Sequence, residues 1–180
     1  TTQSAPSAGR TDRTSNSVTP DSISGRSTKQ EGKVRYQSTN YSCGPVAIAN
    51  ALRIFGKKIP ERKIVKLSET TKDGADEADL IKGIEALGYQ ASIISGDKPP
   101  ALLDPTLASG QPIIMSVMNG KHWVAVIGKV GDRYIVVDST RTKENMKENG
   151  VHLVSRRELL RRWRCPSEPK KYYGIAIARK

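Results

Sequence analysis

The sequence has few cysteines and no long apolar run, and each shortage excludes a class of protein. Cys43 and Cys165 are the only two cysteines among 180 residues, which excludes a disulfide-rich framework. No CxxC pair and no histidine cluster offers metal ligands, so we expect neither a metal nor a cofactor. No segment approaches the roughly 18 consecutive apolar residues that cross a bilayer, so we expect no membrane span.

Residues 1–33 also lack large apolar side chains. Val18 and Ile23 are the only large aliphatic residues in a stretch rich in Ser, Thr, Gly, Pro, Arg and Asp. Such a segment buries too little apolar surface to offset the entropy lost on ordering, so we expect a disordered tail. One folded domain is then expected at 34–180, with a basic C-terminal part at 141–180. The chain begins with Thr1 rather than Met, which leaves room for processing and for an upstream targeting segment.

Basic residues outnumber acidic ones, most strongly near the C-terminus. The formal net charge is +12, and residues 141–180 hold twelve Lys or Arg and four acids. This excess favours a nucleic acid or another polyanion, although a solvated basic surface explains it equally well. The candidate phosphate contacts are Arg156, Arg157, Arg161, Arg162 and Arg164. Trp163 lies among them, either to stack on a base or to fill the core beneath an amphipathic helix.

The order of the hydrophobic patterns predicts an α+β fold. Apolar residues recur at helical spacing in the first half of the domain, and short β-branched runs separated by turns follow in the second. We predict helices at 43–55, 61–67, 76–87 and 158–163, and strands at 89–94, 112–117, 122–127, 133–137 and 172–177. Helices followed by an antiparallel sheet are typical of α+β proteins.

Cys43 lies where the chain changes from small polar residues to an apolar helix. Ser42 is the expected N-cap, and Gly44 and Pro45 form the first turn. The free N–H groups and the dipole at a helix N-terminus favour an anion, so a thiol there has a lowered pKa. The simpler alternative is a small buried hydrophobic residue. The position of Cys43 alone does not distinguish a reactive thiol from a buried hydrophobic residue.

His122 and Asp138 are predicted to meet across a hairpin. His122 opens one strand, and Asp138 follows the next, eight residues on either side of position 130. If the turn is centred there, the carboxylate lies opposite the imidazole and fixes its tautomer and orientation. The alternative is an ordinary histidine on an edge strand.

Gln37 supplies a fourth group, six residues before Cys43. Its side-chain amide can donate to an oxyanion, and the backbone N–H of Cys43 can do the same. Together these residues fill the roles of nucleophile, base, orienting acid and oxyanion donor once each.

Gln37 and the Cys43-Gly-Pro helix start, followed by His122-Trp123 and Asp138, resemble the papain-like cysteine peptidases. More narrowly, the sequence is similar to the bacteriocin-processing, double-glycine leader peptidases and their stand-alone relatives. That family also has an Asp-Gly segment leading to Leu-Gly, here 73–88, and a Gly-x-Pro-Ile strand entry, here 110–113. The resemblance covers about residues 34–140.

The resemblance implies a papain-like fold of N-terminal helices packed on an antiparallel sheet, and a cysteine endopeptidase activity. Cys43 would be the nucleophile, His122 the general acid and base, Asp138 the orienting residue and Gln37 part of the oxyanion hole. The substrate would be a protein or peptide, or the chain's own tail, cleaved near Gly9 or Gly25. A catalytic thiol must be reduced, which favours a reducing environment.

Two alternatives remain from the residues alone. One is acyl transfer to an amine, a transamidation, on the same triad. The other is a basic nucleic-acid-binding or scaffold protein on a catalytically inactive peptidase fold.

Overall fold

The computed structural model describes residues 34–180, so the expected tail at 1–33 lies outside the described residues. The helices are α1 (Cys43–Leu52), α2 (Glu61–Leu67), α3 (Glu77–Ala86), α4 (Leu103–Ala108), α5 (Lys143–Lys147) and α6 (Arg156–Trp163). The strands are β1 (Tyr89–Gly96), β2 (Ile113–Val117), β3 (His122–Val130), β4 (Arg133–Val137), β5 (Val151–Val154) and β6 (Tyr172–Arg179). A short 3₁₀ helix, Arg53–Phe55, follows α1.

The six strands form one antiparallel sheet in the order β1-β6-β2-β3-β4-β5. Alternate residues of each strand face opposite sides, which divides the core into two layers. One layer lies under α1, α2 and α3 and includes Trp123 and Ala125 of β3; we call this side the α1 face. The other lies under α4 and α6 and includes Val124 and Val126; we call this side the α6 face. The predicted α+β class is therefore confirmed.

Helix α1 is a core helix. Residues 44–52 are all buried, as expected for a helix that is apolar on nearly all sides. Gly44 allows a close approach to α3, because a Cβ there would lie 2.8 Å from Leu80 Cδ2. The predicted cap is wrong: Ser42 makes no capping hydrogen bond, and its hydroxyl instead accepts a 2.8 Å hydrogen bond from Thr39 Oγ1. The helix N–H groups therefore stay available at its start.

The hairpin of β3 and β4 differs from the predicted register. Val130 pairs with Arg133 as expected for a tight turn, but a bulge interrupts the ladder between Val126 and Gly128. After the bulge, Ala125 pairs with Val137. Extending that register places position 140 opposite His122.

Two elements between β4 and α6 were not predicted. The five-residue α5 and the four-residue β5 follow the end of β4, and β5 pairs along β4 as an edge strand. Both are too short to produce a clear hydrophobic period. Within 34–180, no helix combines the length and apolar character needed to cross a membrane.

Candidate active site

The half-buried Cys43 thiol lies at the start of α1, next to the beginning of β3. Burial alone would raise the pKa of Cys43. Hydrogen bonding with His122, its positive charge, and the backbone N–H groups of Trp123 and Gly44 outweigh burial and lower the pKa below its usual value. The environment therefore favours the thiolate, the reactive form of a cysteine.

Cys165 provides the contrast. This residue is 2% exposed, and burial raises the pKa of its thiol. Both cysteines are free thiols. The two cysteines thus lie in opposite environments within one chain.

His122 and Asp138 meet at the end of the sheet. Nε2 of His122 lies 2.9 Å from Oδ1 of Asp138, in a buried position. Burial would lower the pKa of His122, but its interactions with Asp138 and Cys43 raise the pKa to about 9. Burial would raise the pKa of Asp138, but hydrogen bonds from His122 and Thr140 lower it to about 2. The arrangement favours an imidazolium between two anions.

The contact between these two residues is diagonal rather than directly across the strands. Asp138 lies just beyond β4, and its backbone N–H donates to Gly150 O over 2.8 Å. The register predicted from the sequence placed Asp138 opposite His122, but the bulge in β3 shifts the pairing of the two strands. The side chain nevertheless reaches the imidazole, because diagonal neighbours on a sheet are within reach of longer side chains.

Thr140 occupies the position opposite His122, and sequence reasoning missed it. Its backbone N–H and its hydroxyl both donate to Asp138 Oδ1, over 2.9 and 2.7 Å. The hydroxyl also lies 3.1 Å from His122 Nε2. An aspartate that accepts from the backbone two residues on is a common turn, so Asp138-Ser139-Thr140 did carry a signal.

Gln37 is tied to the residue that follows Asp138. Its backbone N–H donates to Ser139 O over 3.0 Å, and its side-chain Oε1 accepts from Ser139 Oγ over 2.9 Å. One amide hydrogen is used on Thr39 O at 2.9 Å. The second has no partner among the described residues, so it can serve an incoming acceptor.

A buried asparagine holds the loop that carries Asp138. Asn145, 5% exposed, donates both amide hydrogens: one to Asp138 O over 2.9 Å and one to Thr140 O over 2.7 Å. Its Oδ1 therefore accepts from His152 Nε2. The other ring nitrogen of His152 lies 2.7 Å from a Glu148 carboxylate oxygen. The second histidine thus supports the Asp138 loop through Asn145, a role that no local sequence pattern indicated.

Three of the five arginines singled out in the sequence pair with acidic residues of the fold. Arg156 contacts Asp104 Oδ2 over 3.2 Å and the Tyr134 hydroxyl over 3.0 Å. Arg161 and Arg162 both pair with Glu158. Trp163 has no exposed surface and donates its indole N–H to Tyr173 O, so it cannot stack on a nucleic-acid base. Nucleic-acid binding gains no support from this arrangement.

The described residues contain no group of three or more His, Cys, Asp or Glu arranged to hold a metal ion. The candidate site is instead a half-buried thiol, an imidazole and a carboxylate, with the Gln37 amide tied to the loop that follows Asp138. This set can perform nucleophilic and proton-transfer chemistry.

The fold is that of the papain-like cysteine peptidases, and the sequence assigns the chain to one family within that class. A model of the Peptidase C39 family matches residues 31–153, and the chain belongs to that family. The resemblance to this peptidase family that was predicted from the sequence is confirmed.

Three solved structures have the same fold. Because their sequence identities to this chain are low, the similarity concerns the fold alone. The peptidase domain of Streptococcus ComA, a bi-functional ABC transporter involved in quorum sensing, has a TM-score of 0.61 and 22% identity, covering 82% of this chain and 98% of that one. A double glycine motif protease from an AMS/PCAT transporter, solved with the leader peptide, has a TM-score of 0.61 and 17% identity, covering 82% of this chain and 91% of that one. A C39-like protein from Bacillus anthracis has a TM-score of 0.56 and 14% identity, covering 81% of this chain and 94% of that one.

A curated relative, an uncharacterised protein of Methanothermobacter marburgensis, is 37% identical over 62 residues. The match covers 32% of this chain and 44% of the relative, so the chain spans less than half the length of that protein.

Proposed function

We propose that the protein is a cysteine endopeptidase in which Cys43 attacks a peptide carbonyl. The observation that carries the proposal is the joint environment of Cys43 and His122: the pKa of the thiol is lowered while that of the imidazole is raised. A buried structural cysteine gives the opposite shift, as Cys165 does. A thiolate beside an imidazolium is the reactive state of a cysteine peptidase.

In the acylation step, Cys43 Sγ forms a bond to the carbonyl carbon of the substrate. The negative charge that develops on the carbonyl oxygen is stabilised by the Cys43 backbone N–H and by the unused amide hydrogen of Gln37. The C–N bond then breaks as His122 gives its proton to the leaving amine. The result is a thioester on Cys43 and a released C-terminal fragment.

In the deacylation step, a water molecule adds to the thioester carbonyl while His122 accepts one of its protons. The C–S bond breaks, and Cys43 returns to the thiolate as the N-terminal fragment leaves as a carboxylic acid. Asp138 keeps the imidazole oriented through both steps, because its carboxylate stays on Nε2 and leaves the other ring nitrogen for the chemistry.

The substrate is proposed to be an extended segment of a protein or peptide. The relative solved with a leader peptide supports a peptide substrate. Cleavage in the chain's own tail near Gly9 or Gly25 is a specific case of this proposal, on residues outside the described range. An unchanged intact mass after long incubation, equal to that of Cys43→Ala, would exclude tail cleavage.

A peptide-library digest tests the proposal, with wild type and Cys43→Ala side by side and cleavage sites read by mass spectrometry. We expect a set of cleavages that Cys43→Ala abolishes. Adding an amine to the same digest separates hydrolysis from transamidation, because the latter leaves the amine attached to the N-terminal fragment. Cleavage that persists in Cys43→Ala would refute the proposal.

A further inference from the structure

A pocket beside His122 on the α6 face has a positively charged wall. Its volume is about 390 Å³. His122 and Asp138 form one side, and Val124 and Leu159 contribute to an apolar floor. Three arginines at the end of α6 and just after it also line the pocket: Arg161, Arg162 and Arg164. We propose that this pocket binds an acidic side chain of the substrate, on the C-terminal side of the bond that is cleaved.

The position of His122 assigns the pocket to the leaving side of the substrate; this step rests on the proposed function. A general acid must lie within hydrogen-bond reach of the nitrogen that it protonates. The leaving amine therefore departs next to His122, and the residues that follow it lie beyond the imidazole. Cys43 packs on the α1 face and is not part of the pocket wall. The pocket thus lies on the side of His122 that is away from the nucleophile.

The charges around the pocket do not cancel. Glu158 accepts two hydrogen bonds from Arg161, over 2.8 and 2.7 Å, and one from Arg162 Nε over 2.9 Å. These bonds lower the pKa of Glu158 to about 2, so it contributes one full negative charge against the two guanidinium groups. Asp138, the acid in the wall itself, is already paired with His122. A net positive charge remains.

Arg164 is the clearest candidate for the substrate contact. Its side chain is exposed, and it forms no hydrogen bond or ion pair with any other residue in the described part of the chain. A guanidinium presents five N–H donors in a fork that fits a carboxylate. A glutamate side chain suits this pocket, because its methylene groups can pack on the apolar floor while its carboxylate reaches Arg164.

Arg157 supplies a matched control. It lies on the same helix, is exposed, and likewise has no side-chain partner among residues 34–180, but it does not line the pocket. Arg164→Glu and Arg157→Glu therefore change the net charge of the protein equally. A difference in substrate preference between the two variants is therefore due to the pocket and not to the overall charge.

The first test uses peptides that wild type cleaves, made with Glu, Gln or Lys at each of the first three positions after the cleaved bond and a C-terminal amide. We expect Glu to raise kcat/KM over Gln by about tenfold at one position, the size of a single charge-assisted hydrogen bond. Arg164→Glu should abolish or invert this preference, and Arg157→Glu should keep it. Equal rates for Glu and Gln, or equal losses in both variants, would overturn the proposal.

The same peptides with a free C-terminus separate two sources of the carboxylate. If Gln peptides gain as much from a free C-terminal carboxylate as they do from Glu, the pocket binds chain ends. The assignment to an acidic side chain is then wrong.

A second test does not require cleavage. The short amides Gly-Glu-Glu and Gly-Gln-Gln are compared for their ability to slow alkylation of Cys43 by iodoacetamide. We expect stronger protection by the acidic peptide in wild type and Arg157→Glu, and loss of that difference in Arg164→Glu. Equal protection by both peptides contradicts the pocket proposal. Absence of cleavage together with acid-selective protection would instead contradict only the proposed peptidase function.

Discussion

Nε2 of His122 lies 2.9 Å from Oδ1 of Asp138, although the register of their strands places Thr140 opposite His122. The carboxylate is held in this diagonal position by the loop that follows β4. The charge of Asp138 is also one of the interactions that raise the pKa of His122 to about 9. The properties of the proposed catalytic pair therefore depend on how that loop is fixed.

The first prediction concerns the pH range over which Cys43 is reactive. The thiolate–imidazolium pair is present above the lowered pKa of Cys43 and is lost as the pH rises through about 9, where His122 deprotonates. Asp138→Asn removes the carboxylate, so the pKa of His122 falls, and the alkaline limit should move down by at least about one pH unit. The measurement is kcat/KM for peptide cleavage from pH 4 to 10, because this quantity needs His122 as the proton donor, whereas alkylation needs only the thiolate. An alkaline limit that is the same in both proteins would contradict the assigned role of Asp138.

The second prediction distinguishes the two cysteines. At mildly acidic pH, Cys43 should react with iodoacetamide, while Cys165 should stay unmodified in the folded protein because it is buried and its pKa is raised. Peptide mapping by mass spectrometry after partial alkylation measures both sites at once. His122→Ala should slow Cys43 to the rate of an ordinary thiol and leave Cys165 unchanged. Equal labelling of the two cysteines would show that Cys43 has no special environment.

The third prediction concerns pH and stability. A group whose pKa is lowered by folding stabilises the protein above its unfolded pKa, and this contribution is lost as the pH falls through the folded pKa. For Asp138 the interval runs from 3.8 down to about 2. Thr140→Val removes a hydrogen bond to the carboxylate, so acid unfolding should begin at a higher pH than in wild type. Thr140→Ser keeps the hydroxyl and is the control; if it unfolds like Thr140→Val, the hydroxyl is not responsible.

The fourth prediction tests the asparagine that holds the Asp138 loop. Asn145→Ala leaves the Asp138 and Thr140 carbonyl oxygens without a donor, at a cost of roughly 1–3 kcal/mol in the free energy of unfolding. It should also slow Cys43 alkylation at neutral pH, because Asp138 is no longer fixed against His122. The two effects are measured by urea denaturation and by the alkylation rate.

Asn50 is the matched control for this change. It is 4% exposed and exchanges two hydrogen bonds with the backbone of Arg35, over 2.9 and 3.1 Å. Asn50→Ala should lower stability by a similar amount and leave the alkylation rate near that of wild type. If both variants slow alkylation equally, the effect of Asn145 is on global stability and not on the Asp138 loop.

The sequence was informative where a signal is local. The helix at Cys43 follows from a run of apolar residues at helical spacing, and the approach of Asp138 to His122 follows from two strands joined by a tight turn. The bulge near Ile127 could not be foreseen, since one extra residue in a strand leaves no mark in an apolar run. The contact survived the error in register because the Asp138 side chain lies at the end of the ladder, where a diagonal approach is open.

Other features depended on contacts between distant segments. Asn145 and His152 lie in a five-residue helix and a four-residue strand, whose patterns are too short to predict. For Trp163 the sequence left two options, stacking on a base or filling the core. The structure places it in the core of the α6 face, which is the burial that an amphipathic helix favours. Ser42 has the residue type of a helix cap, but its hydroxyl is hydrogen-bonded to Thr39 in the preceding turn instead.

The central claim is that Cys43 forms a covalent acyl-enzyme. A cleavable peptide is mixed with wild type, the reaction is stopped in acid within its first turnovers, and the intact protein mass is measured. We predict an adduct on Cys43 with the mass of the N-terminal fragment less one water, removed by hydroxylamine and absent in Cys43→Ala. Cleavage that proceeds without any adduct and continues in Cys43→Ala would contradict the account.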